Sequence, residues 1–215
     1  MARIKNKAAE AVKAAAVEAD TLLSDLRIAK KQRYILTGEV NRIVNDDKEK
    51  DPFEKYKAVI DYKGMMVTIP ASKMGIVLPP ETTDADRENR VRAYLLNMVG
   101  SSIEFILTEL NVEENILLGS REGAMALRRK VHFFRKNAET GKSKMEEAFE
   151  GNVVLRAKVI SIHQATIRVE LFGVDCLIHA RDIAYHFIEN MQKEVQIGSE
   201  VPVKIMKLEI DHENK

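Results

Sequence analysis

The sequence predicts a mainly β protein with helices, in which an N-terminal helix precedes two tandem five-stranded barrels joined by a helical linker. Three observations predict this fold class. The first 33 residues contain neither Pro nor Gly and are rich in alanine, which favours a helix. From Tyr34 the apolar residues follow strand-like patterns. Similar segments return after residue 150, and such a repeat indicates two small barrels rather than one irregular domain.

The composition is that of a folded protein outside the membrane. A chain of 215 residues has room for two domains of about 100 residues each. With 45% hydrophobic and 31% charged residues it is neither disordered nor membrane-spanning, and no apolar run suits a secretory segment. Cys176 is the only cysteine, so an internal disulfide and a cysteine metal cluster are excluded. We expect the protein in the reducing cytoplasm.

The N-terminal helix, predicted over residues 1–33, carries one narrow apolar stripe. This seam, within residues 12–26, could associate with a partner helix or a second copy, or pack on the next domain. Packing within the chain is favoured, because fewer than about four heptads is a weak coiled-coil signal. The stripe consists of Val12, Ala16, Ala19, Leu23 and Leu26.

Residues 34–121 are predicted to form the first barrel. The strand-like segments are "YILTGEVNRIV", "YKAVIDY", "GMMVTIP", "SIEFILTEL" and "NILLGS". Two excursions interrupt them: a charged loop around Pro52, and "PPETTDADRENRVRAYLLNM", whose Thr and Asp caps indicate a short helix. With ten Lys and Arg against fifteen Asp and Glu, residues 36–120 are acidic.

Residues 122–149 are predicted to form a basic helical linker. Residues 121–136 contain six Lys or Arg against one acid, with His132 and two phenylalanines interleaved. One interpretation is a basic face that follows phosphates; the other is a helix packed between the barrels with its cations in water. The two are compatible on one amphipathic helix. The candidate phosphate-binding residues are Arg128, Arg129, Lys130, Arg135 and Lys136.

Residues 150–215 are predicted to form the second barrel, with "NVVLRAKVISIH", "ATIRVELFGVDCLIH" and "EVPVKIMKLEI" as strands. Written without a gap, residues 56–74 align with residues 165–183. Further on, "VGSSIEFILTEL" aligns with "IGSEVPVKIMKL". The matched pairs are Gly64 with Gly173, Ile69 with Ile178, Ala71 with Ala180, Gly100 with Gly198 and Leu110 with Leu208.

"GNVVLRAKVISI", "GVDCLIHARDI" and "IGSEVPVKIMKLEID" together resemble the S1-type RNA-binding domain, which has an OB fold. The first copy is similar to divergent repeats in which Pro70 stands in the histidine column. The resemblance covers residues 34–121 and 150–215 and implies two OB barrels. The residues that match the family pattern in the second copy are Gly173, Leu177, Ile178, His179, Ile183, Gly198, Val201, Val203, Lys204, Ile205, Ile210 and Asp211.

The resemblance also implies a groove for single-stranded RNA, made of two aromatic columns, a histidine and a closing pair. In the second copy these columns hold Ala165, Arg168 and His179, and the closing pair is Asp211 and Lys215. Both aromatics are therefore absent, although the Arg168 guanidinium can stack on a base. In the first copy one aromatic remains, at Tyr56.

Strand alternation predicts which of these side chains face outward. In "TIRVEL" the three apolar residues point to the core, so Arg168 points away from it. Arg156 and Lys158 share one face of the preceding strand. Cys176 and Ile178 are expected in the core, whereas His179 and Arg181 are expected at the rim where RNA would pass.

The sequence does not favour an enzyme. "ETGKS" ends like a phosphate-binding loop, but Lys136 stands where that motif requires its first glycine. The histidines lack metal-ligand spacing, and no nucleophile, base and acid form a recognised set. We therefore expect no cofactor and no metal.

The sequence predicts a non-catalytic protein that binds single-stranded RNA, or single-stranded DNA, with little sequence specificity. The resemblance implies a setting in translation, with the ribosome or another RNA-handling complex as partner. The alternative is a protein-interaction adaptor, in which degenerate barrels dock a protein. Their net charges of −5 (residues 36–120) and −2 (residues 150–215) favour that alternative.

Overall fold

The computed structural model describes residues 21–111, 113–114, 116–184, 188 and 190–211. Val12, Ala16 and Ala19 of the predicted helix stripe, and the predicted site residue Lys215, lie outside this part.

Residues 21–32 form helix α1. The further helices are α2 (Pro52–Lys55), α3 (Asp84–Leu96), α4 (Arg121–Arg129), α5 (Lys144–Glu150), α6 (Ala180–Ile183) and α7 (Met191–Glu194). The strands are β1 (Leu36–Asn45), β2 (Tyr56–Tyr62), β3 (Met65–Pro70), β4 (Ser102–Asn111), β5 (Ile116–Ser120), β6 (Leu155–Ile162), β7 (Thr166–Leu171), β8 (Val174–His179) and β9 (Glu200–Val203). The chain is thus mainly β with helices, as predicted.

Strands β1 to β5 form a closed barrel with the order β1-β2-β3-β5-β4. Neighbouring strands are antiparallel except β3 and β5, which close the barrel in parallel at Thr68 and Leu118. Val40, Ile60 and Phe105 are fully buried in its core. Helix α3, inserted between β3 and β4, adds Val91 and Leu95 to the same buried cluster.

Helix α1 packs on this barrel. Leu26 is fully buried in the core of the first barrel, and Leu22 packs against it. Ala29, one turn after Leu26, is also buried. In the described part of the helix, the apolar stripe therefore faces its own chain, the arrangement that the sequence favoured over a partner helix.

Strands β6 to β9 form a separate four-stranded sheet with the order β8-β7-β6-β9. This is the order of the first four strands of the barrel. The predicted fifth strand is not found among the described residues, so a second closed barrel is not confirmed. Strand β9 ends at Val203, although the sequence predicted a strand through residue 210. In the first barrel the long β4 pairs with β5 over its second half. Residues 204–210 form no strand in the described part, and Met206 is 89% exposed.

The internal repeat has a structural counterpart in two hairpin turns. Lys63 and Gly64 connect β2 to β3 with φ of 52° and 84°, and Phe172 and Gly173 connect β7 to β8 with φ of 50° and 85°. Two consecutive left-handed residues define the tight turn whose twist suits a β-hairpin, which explains the glycine in each copy. The alignment of Gly64 with Gly173 is therefore confirmed by the backbone.

A second pair of equivalent sites lies where β4 and β9 begin. The amide of Gly100 donates to the carbonyl of Val40, and the amide of Gly198 donates to the carbonyl of Val159, both at 2.8 Å. In each case the register of the first strand shifts at the next residue. Both copies thus contain the same bulge at the same place.

The bulge in β6 brings the two sheets together. Ile160, in the bulge, is fully buried and belongs to the buried cluster of the first barrel, not to that of the second sheet. Its neighbours Ala157 and Val159 lie in the second core. The extra residue therefore turns one apolar side chain out of its own sheet and onto the neighbouring barrel.

The predicted linker is helical in two pieces. Helix α4 continues as a π-helical turn over Lys130–Phe134, and α5 begins after a loop. Ser143 caps α5 in a reciprocal pair with Glu146, which satisfies two amides at the helix start. Phe133 packs against the core of the second sheet. The linker therefore packs against the second sheet, and the loop at residues 137–142 divides it into two helical pieces.

The two equivalent hairpin glycines differ in their surroundings, which gives a matched test. A Cβ at Gly64 would meet nothing within 4 Å, whereas a Cβ at Gly173 would overlap the carbonyl oxygen of Met125 in α4 and lie 2.9 Å from its Cα. We expect Gly64→Ala to lower the free energy of unfolding by about 1–2 kcal/mol through left-handed strain. Gly173→Ala should cost at least about 2 kcal/mol more, because α4 must move. Urea unfolding followed by circular dichroism measures both; equal losses would contradict the contact.

Candidate nucleic-acid interface

The candidate interface is the face of the second sheet that points away from its own core, here called the outer face. Ile167, Val169 and Leu171 of β7 are buried on the inner side, so Arg168 points to the outer face, as strand alternation predicted. Register places Leu177 of β8 opposite Arg168. The other described β7 and β8 residues on this face are Thr166, Glu170, Asp175 and His179.

Arg121, the first residue of α4, crosses to this face and is fully buried there. One guanidinium nitrogen lies 2.6 Å from a carboxylate oxygen of Glu170 and 2.7 Å from one of Asp175. The other donates to the carbonyl of Met74 in the first barrel. Burial opposes the charged form, but the carboxylates of Asp175 and Glu170 outweigh it and raise the pKa of Arg121 above its ordinary value. A buried charge is tolerated only when paired in this way.

Tyr94 of α3 extends the same network. Its hydroxyl donates to a carboxylate oxygen of Asp175 at 2.7 Å. Burial, together with the charge of Asp175, raises the pKa of the Tyr94 phenol well above its ordinary value. The guanidinium carbon of Arg168 lies 4.6 Å from the centre of the Tyr94 ring. The plane of Arg168 that was predicted to stack on a base thus has an aromatic ring from the first barrel on one side.

Two further arginines of α4 are bound to protein groups. Arg128 forms a two-point ion pair with Glu104, with its Nε 2.7 Å from a carboxylate oxygen. Arg129 donates to the carbonyl of Gly173 at 2.7 Å. Three of the basic side chains in this segment therefore hold the protein together, which favours the packed-linker interpretation for α4. Lys130, Arg135 and Lys136 are exposed and stay available to phosphates.

The contact made by Arg121 divides the outer face into two clefts. The arginine cleft lies between α3 and the sheet, has a volume of about 470 Å³ and is partly lined by Arg90, Tyr94, His163, Arg168 and Leu177. The linker cleft, of about 210 Å³, lies on the other side. It is lined by Ser102, Glu104, Arg128, Arg156, Lys158, Glu170, Phe172 and Glu200.

The predicted groove is therefore not continuous. Arg168 lies in the arginine cleft, whereas Arg156 and Lys158 lie in the linker cleft among three carboxylates. His179 is exposed at the end of β8, and Arg181, in α6 just beyond it, has a side chain that is 81% exposed. Asp211 is exposed as well. The structure brings together only part of the predicted set, because α4 crosses the face that the prediction left open.

Two sequence expectations need correction. Tyr56 is only 8% exposed, and its hydroxyl donates to Glu88, so its ring has no free face for a base. Tyr56 follows α2 directly and is the first residue of β2, where it packs into the barrel core. Cys176 was expected in the core but is exposed. It lies on β8, an edge strand of the four-stranded sheet, and in the first barrel the equivalent strand is covered by β5.

Several cleft residues were missed by the sequence reasoning. Arg90 and Tyr94 belong to α3, the helical segment that was interpreted from the sequence as an interruption of the barrel. His163, in the turn after β6, lies beside Ser161, with Oγ and Nε2 3.4 Å apart. Burial and the charge of Arg168 lower the pKa of His163, so the ring is mainly neutral at pH 7. Arg90 and Tyr94 are four residues apart and therefore share one helical face, and this spacing is the sequence signal that could have identified them.

The described residues contain no group of three or more His, Cys, Asp or Glu side chains placed to hold a metal ion. Among the helices that the structure describes, none combines the length and apolar character needed to cross a bilayer.

Comparison with known proteins finds a family match in the second half of the chain. Residues 147–214 match the family model described as the S1 RNA binding domain. The chain is 24% identical over 170 residues to the small ribosomal subunit protein bS1 of Mycolicibacterium smegmatis, which covers 79% of this chain and 32% of that protein. It is 30% identical over 114 residues to bS1 of Staphylococcus saprophyticus, and 25% identical over 114 residues to bS1 of Staphylococcus haemolyticus; each match covers 53% of this chain and 27% of the relative. The chain thus spans about a third or less of the length of these relatives.

The buried network predicts a large difference between two arginines of α4. Arg121→Met keeps most of the volume but leaves Glu170 and Asp175 facing each other without a cation. We expect a loss of about 3–5 kcal/mol in the free energy of unfolding. Arg128→Met removes a partly exposed pair and should cost less than about 1 kcal/mol. Urea titration of both variants measures this, and similar losses would show that the Arg121 contact does not hold the two sheets together.

Proposed function

We propose that this chain, an S1-type RNA-binding domain protein, is a non-catalytic protein that binds single-stranded RNA through the outer face of its second sheet. The family match over residues 147–214 carries the proposal. On that face the structure has Arg168 and Leu177 side by side in an open cleft. A cation beside exposed apolar surface is the combination that single-stranded nucleic acids need for phosphate and base contacts.

Low sequence specificity is part of the proposal. The two aromatic columns of the family hold Ala165 and Arg168, so neither column offers an aromatic ring to a base. We expect the groups that remain, arginines and a histidine, to act mainly through phosphate contacts, which carry no direct sequence information. Binding that depends mainly on phosphate contacts is weakened by salt.

The architecture that we propose is two OB-type units, at residues 34–121 and 150–215, with residues 122–149 between them. The closed order β1-β2-β3-β5-β4 supports the first unit, and the matching order of β6 to β9 supports the second. The common bulge and hairpin support their equivalence.

The setting that we propose is translation in the cytoplasm, with messenger RNA and the ribosome or a related complex as partners. The relatives that match are ribosomal proteins of the small subunit. Because the chain spans only part of their length, the activity of a whole relative is not carried over, and the proposal is limited to RNA binding in this context.

An adaptor that docks a protein is the second candidate, and one observation favours it. The outer face already binds protein, since α3, α4 and Ile160 connect it to the first barrel. A face that accepts these elements could accept another protein. In this case RNA affinity would be weak and independent of the cleft residues.

A fluorescence anisotropy titration separates the two candidates. The probe is a labelled single-stranded RNA of about 20 nucleotides, longer than the site size of one OB unit. We expect binding that weakens as salt increases, and a loss of affinity of about fivefold or more in Arg168→Ala, because a phosphate and stacking contact is removed.

Arg42→Ala is the matched control, since Arg42 is exposed on β1 of the first barrel, outside the clefts. Its affinity should stay within about twofold of the wild type, since only general charge is lost. Weak RNA binding that changes neither with salt nor with the Arg168 substitution would refute the RNA proposal and favour the adaptor.

A further inference from the structure

The arginine cleft is built from both halves of the chain. One wall is α3 and the loop before it from the first barrel, and the other is the outer face of the second sheet. Its volume of about 470 Å³ lies within the range of small-molecule sites. Besides the residues already named, its lining includes Val77, Pro79, Pro80 and Asn97.

The two arginines of this cleft differ from those of α4. Arg121, Arg128 and Arg129 each donate to a carboxylate or a carbonyl. In the part of the chain that the structure describes, the side chains of Arg90 and Arg168 have no hydrogen bond or ion pair, although the Arg168 guanidinium rests on the Tyr94 ring. Their N–H groups are therefore available to an anion, and no Asp or Glu belongs to the described lining of the cleft.

Part of the remaining lining is apolar and exposed. Val77 is 86% exposed and Leu177 is 54% exposed. Pro79 and Pro80 continue this surface on the loop before α3. An exposed apolar surface beside unpaired arginines suits a ligand with an aromatic ring and a negative charge, which is the chemistry of a nucleotide.

We propose that this cleft between the two halves of the chain holds one nucleotide of a bound single-stranded RNA, with its phosphate at Arg90 and Arg168 and its base against Leu177 and the Pro79–Pro80 segment. This inference rests on the proposed function and deepens it, because the first barrel then supplies part of the RNA site. Arg90 lies on the inserted helix α3, outside the strands that carry the predicted groove.

A neighbouring cleft offers the bound RNA strand a place to continue. A second cleft of about 510 Å³ shares Asn97 and His163 with the arginine cleft. It adds Gln164, Asn190 and Gln192, whose amides can donate to phosphate or sugar oxygens. Tyr94 holds the Arg168 guanidinium on one face, so its N–H edge is pre-oriented toward the cleft.

Two arginines on one helix provide the test. Arg90 lines the cleft, whereas the exposed Arg92 lies near Glu88 and Tyr56 and is not part of the lining. Anisotropy titrations of the wild type, Arg90→Ala and Arg92→Ala with the labelled RNA should be made over a range of salt. We expect Arg90→Ala to weaken binding about fivefold and to reduce the slope of log affinity against log salt by about 0.7, the value for one phosphate contact on a single strand. Arg92→Ala should change affinity less than about twofold.

Crosslinking gives an independent measurement of position. RNA containing 4-thiouridine, irradiated on the wild-type protein and mapped by mass spectrometry, should mark residues 76–80 or 161–168. If the wild type binds RNA but Arg90→Ala behaves like Arg92→Ala and crosslinks fall elsewhere, the shared cleft is wrong while RNA binding stands. If the wild type does not bind RNA, the proposed function fails and this inference fails with it.

Discussion

The relation between the two halves of this chain depends on one buried guanidinium. Arg121 follows the last strand of the first barrel directly and begins α4, so its position is fixed by the barrel. Its charge must be neutralised in place, and Glu170 and Asp175, on β7 and β8, are the groups that do this. Because the guanidinium must meet both carboxylates at once, the contact constrains where the second sheet lies. Ile160 and the Tyr94 hydroxyl then fit around it.

This arrangement changes what the outer face can bind. A single open sheet would present one groove along β6, β7 and β8, but here α4 occupies its middle. Arg156 and Lys158 are left with carboxylates around them, and Arg168 is left with apolar neighbours and a second arginine. The two clefts therefore differ in electrostatic character although they belong to one face. Tyr94, which the first barrel supplies, places an aromatic ring beside Arg168 on this face.

Local features could be predicted from the sequence, and contacts between the halves could not. The hairpin turns at Gly64 and Gly173 and the inward side of "TIRVEL" follow from backbone conformation and alternation, which are properties of short segments. Arg121 resembled the other basic residues of its segment, because the carboxylates that bury it lie 49 and 54 residues further on. Tyr56 and Cys176 were misplaced for a related reason. Their exposure depends on which strand or helix covers them, and neither a family column nor strand alternation contains that information.

The same separation along the chain has a consequence for folding order. All strands of the first barrel precede Arg121, so the barrel can close while the chain is still being synthesised. Arg121 then stays a solvated cation until β7 and β8 have been made. Burial of its charge becomes possible only at that stage, and docking of the two halves is therefore a late, vectorial step. A chain arrested between residues 130 and 170 would present Arg121 and Arg129 of α4 without their partners from the second sheet, with the interdomain surface of the first barrel still open to water.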